Sequence, residues 1–168
     1  GSNYGLAFMV YDKFQDGAAR RTATNAIKEK LEYWESIINS CSTEEEKVKT
    51  IHDLVCNMVD YNHGVLDVNS DEGKGISDAE EQTYFTQSAY SAFCTDLTVC
   101  AGYTQAFTWL CNGADIESFG VTGPGHAWNK VNVNDNWYTL DCTWDDGNGE
   151  GNFHYGRYLN NDAYFDGI

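Results

Sequence analysis

Basic residues are scarce in this sequence of 168 residues. Ten Lys and Arg stand against 26 Asp and Glu, so the formal net charge at pH 7 is −16. Nucleic-acid binding depends on a basic surface that neutralises phosphates, and the composition therefore argues against a nucleic-acid partner. The simplest interpretation is a well-solvated acidic surface, and a preference for cationic peptides or amines is the alternative that stays open.

Proline and long apolar runs are also rare. The chain has a single proline, while aromatic residues make up 14% of it, which is typical of a compact folded protein and not of a disordered one. No apolar run approaches the roughly 18 residues of a membrane span, so we expect no membrane insertion. We expect residues 1–168 to form one domain. Because the chain begins Gly-Ser-Asn, like a cloning remnant, we expect it to be a fragment of a longer protein.

The six cysteines include no CxxC pair and no spacing typical of zinc ligands, so we expect neither a metal nor a cofactor. Cys56 and Cys111 fall on apolar helical stripes and are interpreted as small buried hydrophobic residues. Cys94 and Cys142 flank the segments described next. One disulfide among the six cysteines is an open alternative.

The stretch at 98–113, TVCAGYTQAFTWLCNG, contains no charged residue. Its apolar residues recur at helical spacing, which predicts a buried central helix. The positions are Val99, Tyr103, Ala106, Phe107, Leu110 and Cys111. We expect Thr98 to cap this helix and Asn112-Gly113 to end it. Cys100 falls in the first turn, where free N–H groups and the helix dipole favour a thiolate, the nucleophilic form of cysteine.

Residues 125–144, GHAWNKVNVNDNWYTLDCTW, predict two strands around an Asn/Asp turn. With a loop of two or four residues, the numbers of paired positions sum to 269. His126 then lies one diagonal step from Asp141 on the same face, about 7–8 Å away at the backbone, which allows a histidine–carboxylate hydrogen bond. The sequence thus supplies a nucleophile, a base and an orienting acid in the order Cys100, His126, Asp141.

Three blocks, VCAGYTQAF, GHAWNKV and NWYTLDCTWDD, resemble in order and spacing the core of the transglutaminase-like superfamily, which has a papain-like fold. The resemblance spans about residues 48–165 and carries the catalytic residues of that family onto Cys100, His126 and Asp141. The sequence departs from the family pattern at two positions. Thr98 stands where a glycine usually precedes Val-Cys, and Cys142 stands where a proline often follows the acid.

The resemblance implies cysteine-dependent acyl transfer on peptide or glutamine carboxamides through a thioester, as in a transglutaminase, deamidase or peptidase of bacterial type. It also implies a protein or peptide substrate, further domains of the same chain and an extracellular or cell-surface location. We expect the backbone N–H of Cys100 to be one oxyanion donor. The candidates for the second donor and for substrate binding are Tyr61, Tyr90 and Trp128.

Two other functional hypotheses are compatible with these residues. The first is a catalytically inert module that uses the same cleft to bind a peptide or a surface. The second is a zinc site at Cys94, Cys100 and His126, which we do not favour because the spacing of these residues is unlike that of zinc ligands. Fast alkylation of Cys100 distinguishes an enzyme from the inert module, since only an activated thiol reacts quickly at mildly acidic pH.

Helical periodicity predicts an amphipathic helix over residues 20–40 and a second helix that ends near residues 62–64. The capping box of the second helix has two candidate pairs, which are Ser42 with Glu45 and Thr43 with Glu46. His52 lies beside its apolar stripe and is interpreted as a partly buried structural histidine. Strands are also predicted at 115–121 and 153–159. Helices followed by an antiparallel sheet indicate an α+β fold, with the N-terminal helices and the Cys100 helix packed on the sheet.

Residues 65–83 form an acidic segment whose first polar residues alternate as in a calcium-binding loop, at Asp67, Asn69 and Asp71. Glu72, however, stands where such a loop needs glycine. We therefore interpret the segment as a solvated loop without calcium.

Overall fold

The computed structural model describes residues 14–66 and 86–161. The helices in these residues are α1 (Gly17–Ile38), α2 (Glu44–Met58), α3 (His63–Leu66), α4 (Ala89–Cys94), α5 (Cys100–Gly113) and α6 (Cys142–Asp145). The strands are β1 (Asp60–Tyr61), β2 (Leu97–Thr98), β3 (Ser118–Gly123), β4 (His126–Val133) and β5 (Asn136–Leu140). None of these helices has the length and apolar character to cross a membrane. The N-terminal helices and the antiparallel sheet confirm the α+β prediction.

Helix α5 lies at the centre of the fold and packs against α2, α4, β3 and β4. All of its predicted apolar positions are buried, with the side chains of Ala106, Phe107, Leu110 and Cys111 fully inaccessible. A helix without charged residues can be enclosed in this way because it brings no unpaired charge into the core.

The predicted cap of α5 is wrong. Val99 occupies the N-cap position and makes no side-chain hydrogen bond to the helix. The hydroxyl of Thr98 is instead buried and donates to the carbonyl of Thr86 at 2.8 Å. Gly102 makes room for it, since a Cβ at that position would lie 1.9 Å from Thr98 Oγ1. Thr98 therefore fixes the segment that enters the helix rather than capping it.

Strands β1 and β2 form a short parallel pair directly before Cys100. Asp60 pairs with Leu97 and Tyr61 pairs with Thr98. This pairing ends α2 at Met58, earlier than the sequence predicts, because the backbone turns into β1 and there bonds to β2. The pair places Tyr61 beside the residues that lead into Cys100.

Strands β3, β4 and β5 form an antiparallel sheet with β4 in the middle. Asn129 pairs with Leu140 and Val133 pairs with Asn136, so the predicted register, in which paired numbers sum to 269, is confirmed. Burial alternates along β4, and its buried positions are Ala127, Asn129, Val131 and Val133. These residues cover the sheet face that packs on α5. The opposite face carries His126 at the start of the strand.

The strand predicted at 115–121 lies at Ser118–Gly123 in the structure, so the turn from β3 into β4 is short. Gly123 still pairs with His126, so only Pro124 and Gly125 connect the two strands. Gly125 has a φ of +71°, a conformation that glycine adopts without strain. The start of β4 is thus held by strand pairing, and His126 follows the turn directly.

The capping box of α2 is formed by Thr43 and Glu46, which decides between the two predicted pairs.

The predicted strand at 153–159 is wrong, because this part of the chain contains isolated bridges rather than a strand. Its backbone bends around a buried carboxylate, and the N–H of Arg157 donates to Asp145 Oδ1 at 2.7 Å. The predicted loop at 65–83 lies, from residue 67 on, outside the described residues.

Candidate active site

Cys100 is the first residue of α5 and is half-buried. Burial by itself raises the pKa of its thiol. The pKa nevertheless lies below its ordinary value, because the sulfur is hydrogen-bonded to the ring of His126 and to the backbone N–H groups of Ala127 and Ala101. The N-terminus of a helix adds a favourable field for negative charge. The surroundings of Cys100 therefore stabilise a thiolate.

His126 lies between Cys100 and Asp141. Its Nε2 is 2.6 Å from Asp141 Oδ2, which leaves Nδ1 for the sulfur. Burial lowers the pKa of His126, but the hydrogen bonds to Asp141 and Cys100 outweigh this effect and raise the pKa to about 9. The two side chains therefore stabilise each other as an imidazolium and a thiolate.

Asp141 is buried, with 1% of its surface exposed. It is the N-cap of α6, and its Oδ1 accepts a hydrogen bond from the N–H of Trp144 at 3.2 Å. Its own N–H donates to the carbonyl of Arg157 at 3.1 Å. One carboxylate oxygen is thus held by the start of a helix, while the other is directed at His126.

Two tryptophans fix the plane of the His126 ring. The indole of Trp144 stacks on it with centroids 4.7 Å apart and an angle of 9° between planes. The indole of Trp128 lies at 5.7 Å and 25°. Gly123 provides space for Trp128, since a Cβ there would lie 2.9 Å from the indole. The imidazole is therefore fixed by stacking as well as by hydrogen bonds.

A cleft of about 440 Å³ opens beside His126. Its lining residues are Tyr61, His63, His126, Thr143, Trp144, Asp146, Gly147 and Asn148. Burial, together with the charge of Cys100, raises the pKa of Tyr61 to about 12, so its hydroxyl keeps its proton and can donate. Of the three residues suggested for substrate binding, Tyr61 lines the cleft and Trp128 contacts His126. Tyr90 is outside this lining and packs its ring edge-on against Phe14 at 5.0 Å.

A second group of similar residues lies inside the protein, and the sequence analysis missed it. His52 Nε2 is 3.1 Å from Asp145 Oδ2 and 3.7 Å from Cys56 Sγ, and all three residues are at most 1% exposed. The sulfur of Cys142 lies beside them. The sequence signal was the four-residue spacing of His52 and Cys56, which places both on one face of a helix. All six cysteines are free thiols, so the disulfide alternative is not realised.

The chain is similar to proteins of one family. The family model of the transglutaminase-like superfamily matches residues 32–142. Kyphoscoliosis peptidase is 21% identical in Mus musculus and 22% in Homo sapiens, with 95% of this chain covered in each case. The chain spans only 24% of the length of these relatives. A structure described as "Crystal structure of a TGase" has the same fold, with a TM-score of 0.60, 20% identity, and 95% of this chain and 40% of that chain covered.

Proposed function

The chain belongs to the transglutaminase-like superfamily, and on that premise we propose that it is a cysteine enzyme that transfers acyl groups from peptide or glutamine carboxamides. The family supports acyl-transfer or peptidase-like chemistry in general. The observation that carries the finer proposal is the position of His126, which is hydrogen-bonded both to Cys100 and to Asp141. Nucleophile, base and orienting acid are the three parts that such chemistry needs.

The proposed reaction has two steps. The Cys100 thiolate attacks the carboxamide carbon, and as the C–N bond breaks, His126 gives its proton to the departing amine or ammonia. This leaves a thioester on Cys100 and a neutral imidazole. An amine or a water molecule then loses a proton to His126, attacks the thioester and releases Cys100 as the thiolate. Asp141 keeps the ring orientation and stabilises the imidazolium in both steps.

The tetrahedral intermediate needs hydrogen-bond donors for its oxyanion. We propose the backbone N–H of Cys100 as the first donor, because it lies at the N-terminus of α5, where an N–H has no partner within the helix. We propose the hydroxyl of Tyr61 as the second. Its strand pairs with Thr98, and its pKa is raised by burial and, to a smaller extent, by the nearby charge of Cys100. Tyr90 is a weaker candidate because its ring packs on Phe14.

The cleft beside His126 has room for a side chain or a short peptide rather than for a folded domain. This supports a protein or peptide substrate that offers an extended segment. The organisation of residues 1–168 as one domain, with its motifs at about 48–165, is a proposal, as are further domains in the same chain. The bacterial source and extracellular location expected from the family also stay predictions.

The test is to trap the acyl-enzyme. The protein is incubated with a library of glutamine-containing peptides and quenched in acid, and mass spectrometry then locates the adduct, while ammonia release is followed in parallel. We expect a thioester on Cys100 and none in a Cys100→Ala variant. Peptide binding without adduct or ammonia, together with slow alkylation of Cys100, would overturn the proposal in favour of an inert binding module.

A further inference from the structure

We propose that the buried group formed by His52, Cys56, Cys142 and Asp145 is a structural metal site that takes a zinc ion. This buried cluster, as we call these four residues, goes beyond the proposed acyl transfer and does not depend on it. None of its members lines the cleft beside His126.

Three donor atoms of the buried cluster already converge. His52 Nε2, Cys56 Sγ and Cys142 Sγ all lie within 4.8 Å of one another. The distance from Cys56 Sγ to His52 Nε2 is 3.7 Å, and Asp145 Oδ2 is 3.1 Å from the same nitrogen. Zinc–sulfur bonds of about 2.3 Å and zinc–nitrogen bonds of about 2.0–2.1 Å put the ligands of a tetrahedral site about 3.3–3.8 Å apart. His52, Cys56 and Cys142 need only a small approach to reach such distances, whereas Asp145 contacts His52 Nε2 and must move closer to the two sulfurs to become the fourth ligand.

The ligand set suits zinc in number and type. Two thiolates, one imidazole and one carboxylate make four ligands, which is the closed tetrahedral arrangement of structural zinc sites. His52 and Cys56 lie one turn apart on α2, while Cys142 and Asp145 are the first and last residues of α6. Each pair therefore presents its two donors from one side of its own helix. The metal would join two helices that are distant in sequence.

The surroundings of the buried cluster also fit a metal site. His52 Nδ1 is 3.0 Å from Asp53 Oδ1, which is the carboxylate–histidine arrangement that usually orients a metal-binding imidazole. Asp53 is held in turn by Lys49 Nζ at 2.6 Å. The N–H of Arg157 donates to Asp145 Oδ1, so that Oδ2 faces His52. These outer partners leave His52 Nε2 and Asp145 Oδ2 free to face the inside of the cluster.

Burial gives the physical reason for a metal at this position. The four side chains are 0–2% exposed, and buried ionisable groups are stable when they are paired or coordinate a metal. Without metal, protons hold the cluster together through the hydrogen bonds described above. Zinc would replace the ring proton of His52 at Nε2 and the protons of the two thiols, and would release them to water.

The metal would affect the candidate active site only by stabilising the structure around it. Helix α6 begins at its N-cap, Asp141, and Cys142 is the next residue. A zinc ion that joins α2 to α6 would therefore hold in place the backbone that carries Asp141. All four zinc positions are taken by the protein, so no position is left for a substrate.

The test measures metal in the intact chain. Protein produced in zinc-supplemented medium is dialysed, and zinc per chain is determined by elemental analysis. We expect about one zinc per chain in the wild type, and loss of that zinc in Cys56→Ser and in Cys142→Ser. Cys111→Ser is the matched control, because Cys111 is equally buried but lies outside the cluster, and it should keep the metal. Cys100→Ala should also keep it, which distinguishes this site from zinc at Cys94, Cys100 and His126.

Cobalt provides a second measurement that does not depend on the folding of the cysteine variants. Cobalt bound to the wild type should give the absorption of a tetrahedral site and a thiolate-to-cobalt charge-transfer band. Asp53→Asn should weaken zinc binding by about 10–100-fold, as expected for loss of a partner of the ligating histidine. Wild-type protein that takes up no zinc after refolding with the ion, or a cobalt spectrum without the thiolate band, would overturn the proposal. Zinc that persists in a folded Cys56→Ser variant would overturn it as well.

Discussion

The described part of the chain contains two Cys–His–Asp arrangements that differ mainly in their access to solvent. In the first, Cys100 is half-buried and His126 lines a cleft. In the second, Cys56 and His52 are 1% and 0% exposed and are enclosed by α2, α6 and the residues that follow α6. The first arrangement can reach a substrate, whereas the second can only hold its own residues or an enclosed ion together. Residue type alone therefore does not distinguish a reactive site from a structural one.

The electrostatics of the two arrangements are alike. The pKa of His126 is raised to about 9 and that of His52 to about 10, in each case because hydrogen bonds outweigh burial. The pKa values of both thiols lie below the ordinary value, for Cys56 chiefly through its hydrogen bond to Cys142. Shifted pKa values are common in buried ion-pair networks as well as in active sites. Access to the cleft through His126 is thus the property on which the proposal for Cys100 rests.

The largest expected effect is the loss of activity when the thiol of the first arrangement is removed. Cys100→Ala should lower the rate of ammonia release from a glutamine peptide by at least about 10⁴-fold, because the nucleophile is lost. Cys111→Ala, which removes a buried thiol from the same helix, is the control and should retain most of the rate per folded molecule. Activity that survives in Cys100→Ala would remove the distinction between the two arrangements.

The second comparison concerns stability. His52→Ala should lower the free energy of unfolding by about 3–5 kcal/mol, because it leaves Oδ2 of the fully buried Asp145 without its His52 partner. His126→Ala should lower the free energy of unfolding by less than about half of that amount, because loss of the ring opens Asp141 to water from the cleft. Urea unfolding of the dialysed variants measures both values. Equal losses of unfolding free energy in the two variants would contradict the view that the buried arrangement contributes more to stability than the one at the cleft.

The third comparison is made within one molecule. Iodoacetamide at pH 6 should modify Cys100 of the native protein at least about 100-fold faster than Cys56, which must wait for the fold to open. This ratio corresponds to about 2.7 kcal/mol. Peptide mapping by mass spectrometry after timed quenching gives both rates. In urea-unfolded protein the two cysteines should react at similar rates, which is the internal control.

A smaller effect tests the role of Asp141. In Asp141→Asn the amide can donate where the carboxylate accepts, which favours the wrong tautomer of His126 and removes support for the imidazolium. Alkylation of Cys100 at pH 6 should become at least about tenfold slower, equivalent to about 1.4 kcal/mol. Asp135→Asn, in the exposed turn of the same hairpin, is the control and should leave the rate unchanged. An unaltered rate in a folded Asp141→Asn protein would reduce the site to a Cys–His dyad.

The smallest expected effect is a shallow pH dependence. The pKa of Cys100 lies below its ordinary value, and His126 keeps its proton until the pH approaches about 9. Alkylation of Cys100 should therefore rise less steeply between pH 6 and 8 than alkylation of an ordinary thiol. An ordinary thiol with a pKa of about 8.5 should change by about 75-fold over the same range. The unfolded protein is the control, and a similar slope in the native protein would contradict the ion pair.

Local patterns predicted the parts of the fold that depend on neighbouring residues. The charge-free stretch from residue 98 predicted the buried helix, and the Asn/Asp turn predicted the register of the hairpin. His126 and Asp141 meet as that register predicts, although Asp141 lies just beyond β5, at the N-cap of α6. Their catalytic roles, with that of Cys100, stay predictions for the experiments above. These features were predictable because helix periodicity and hairpin register are set within about 20 residues of chain.

Contacts between distant segments decided the rest. Thr98 bonds to Thr86 instead of capping α5, and α2 ends early because β1 pairs with β2. The residues expected as a final strand bend around Asp145 because its buried carboxylate needs donors. Tyr61 lines the cleft, while Tyr90 packs on Phe14.

The buried cluster shows most clearly which features local sequence determines and which depend on contacts between distant segments. The sequence by itself placed His52 and Cys56 on one helical face and determined that Cys142 follows Asp141. It contained no sign that these pairs meet, since His52 and Asp145 are separated by 93 residues. Only the packing of α6 against α2 brings them together. The physical reason is that burial and long-range contact depend on how all the segments fill the core, whereas periodicity reports each segment alone.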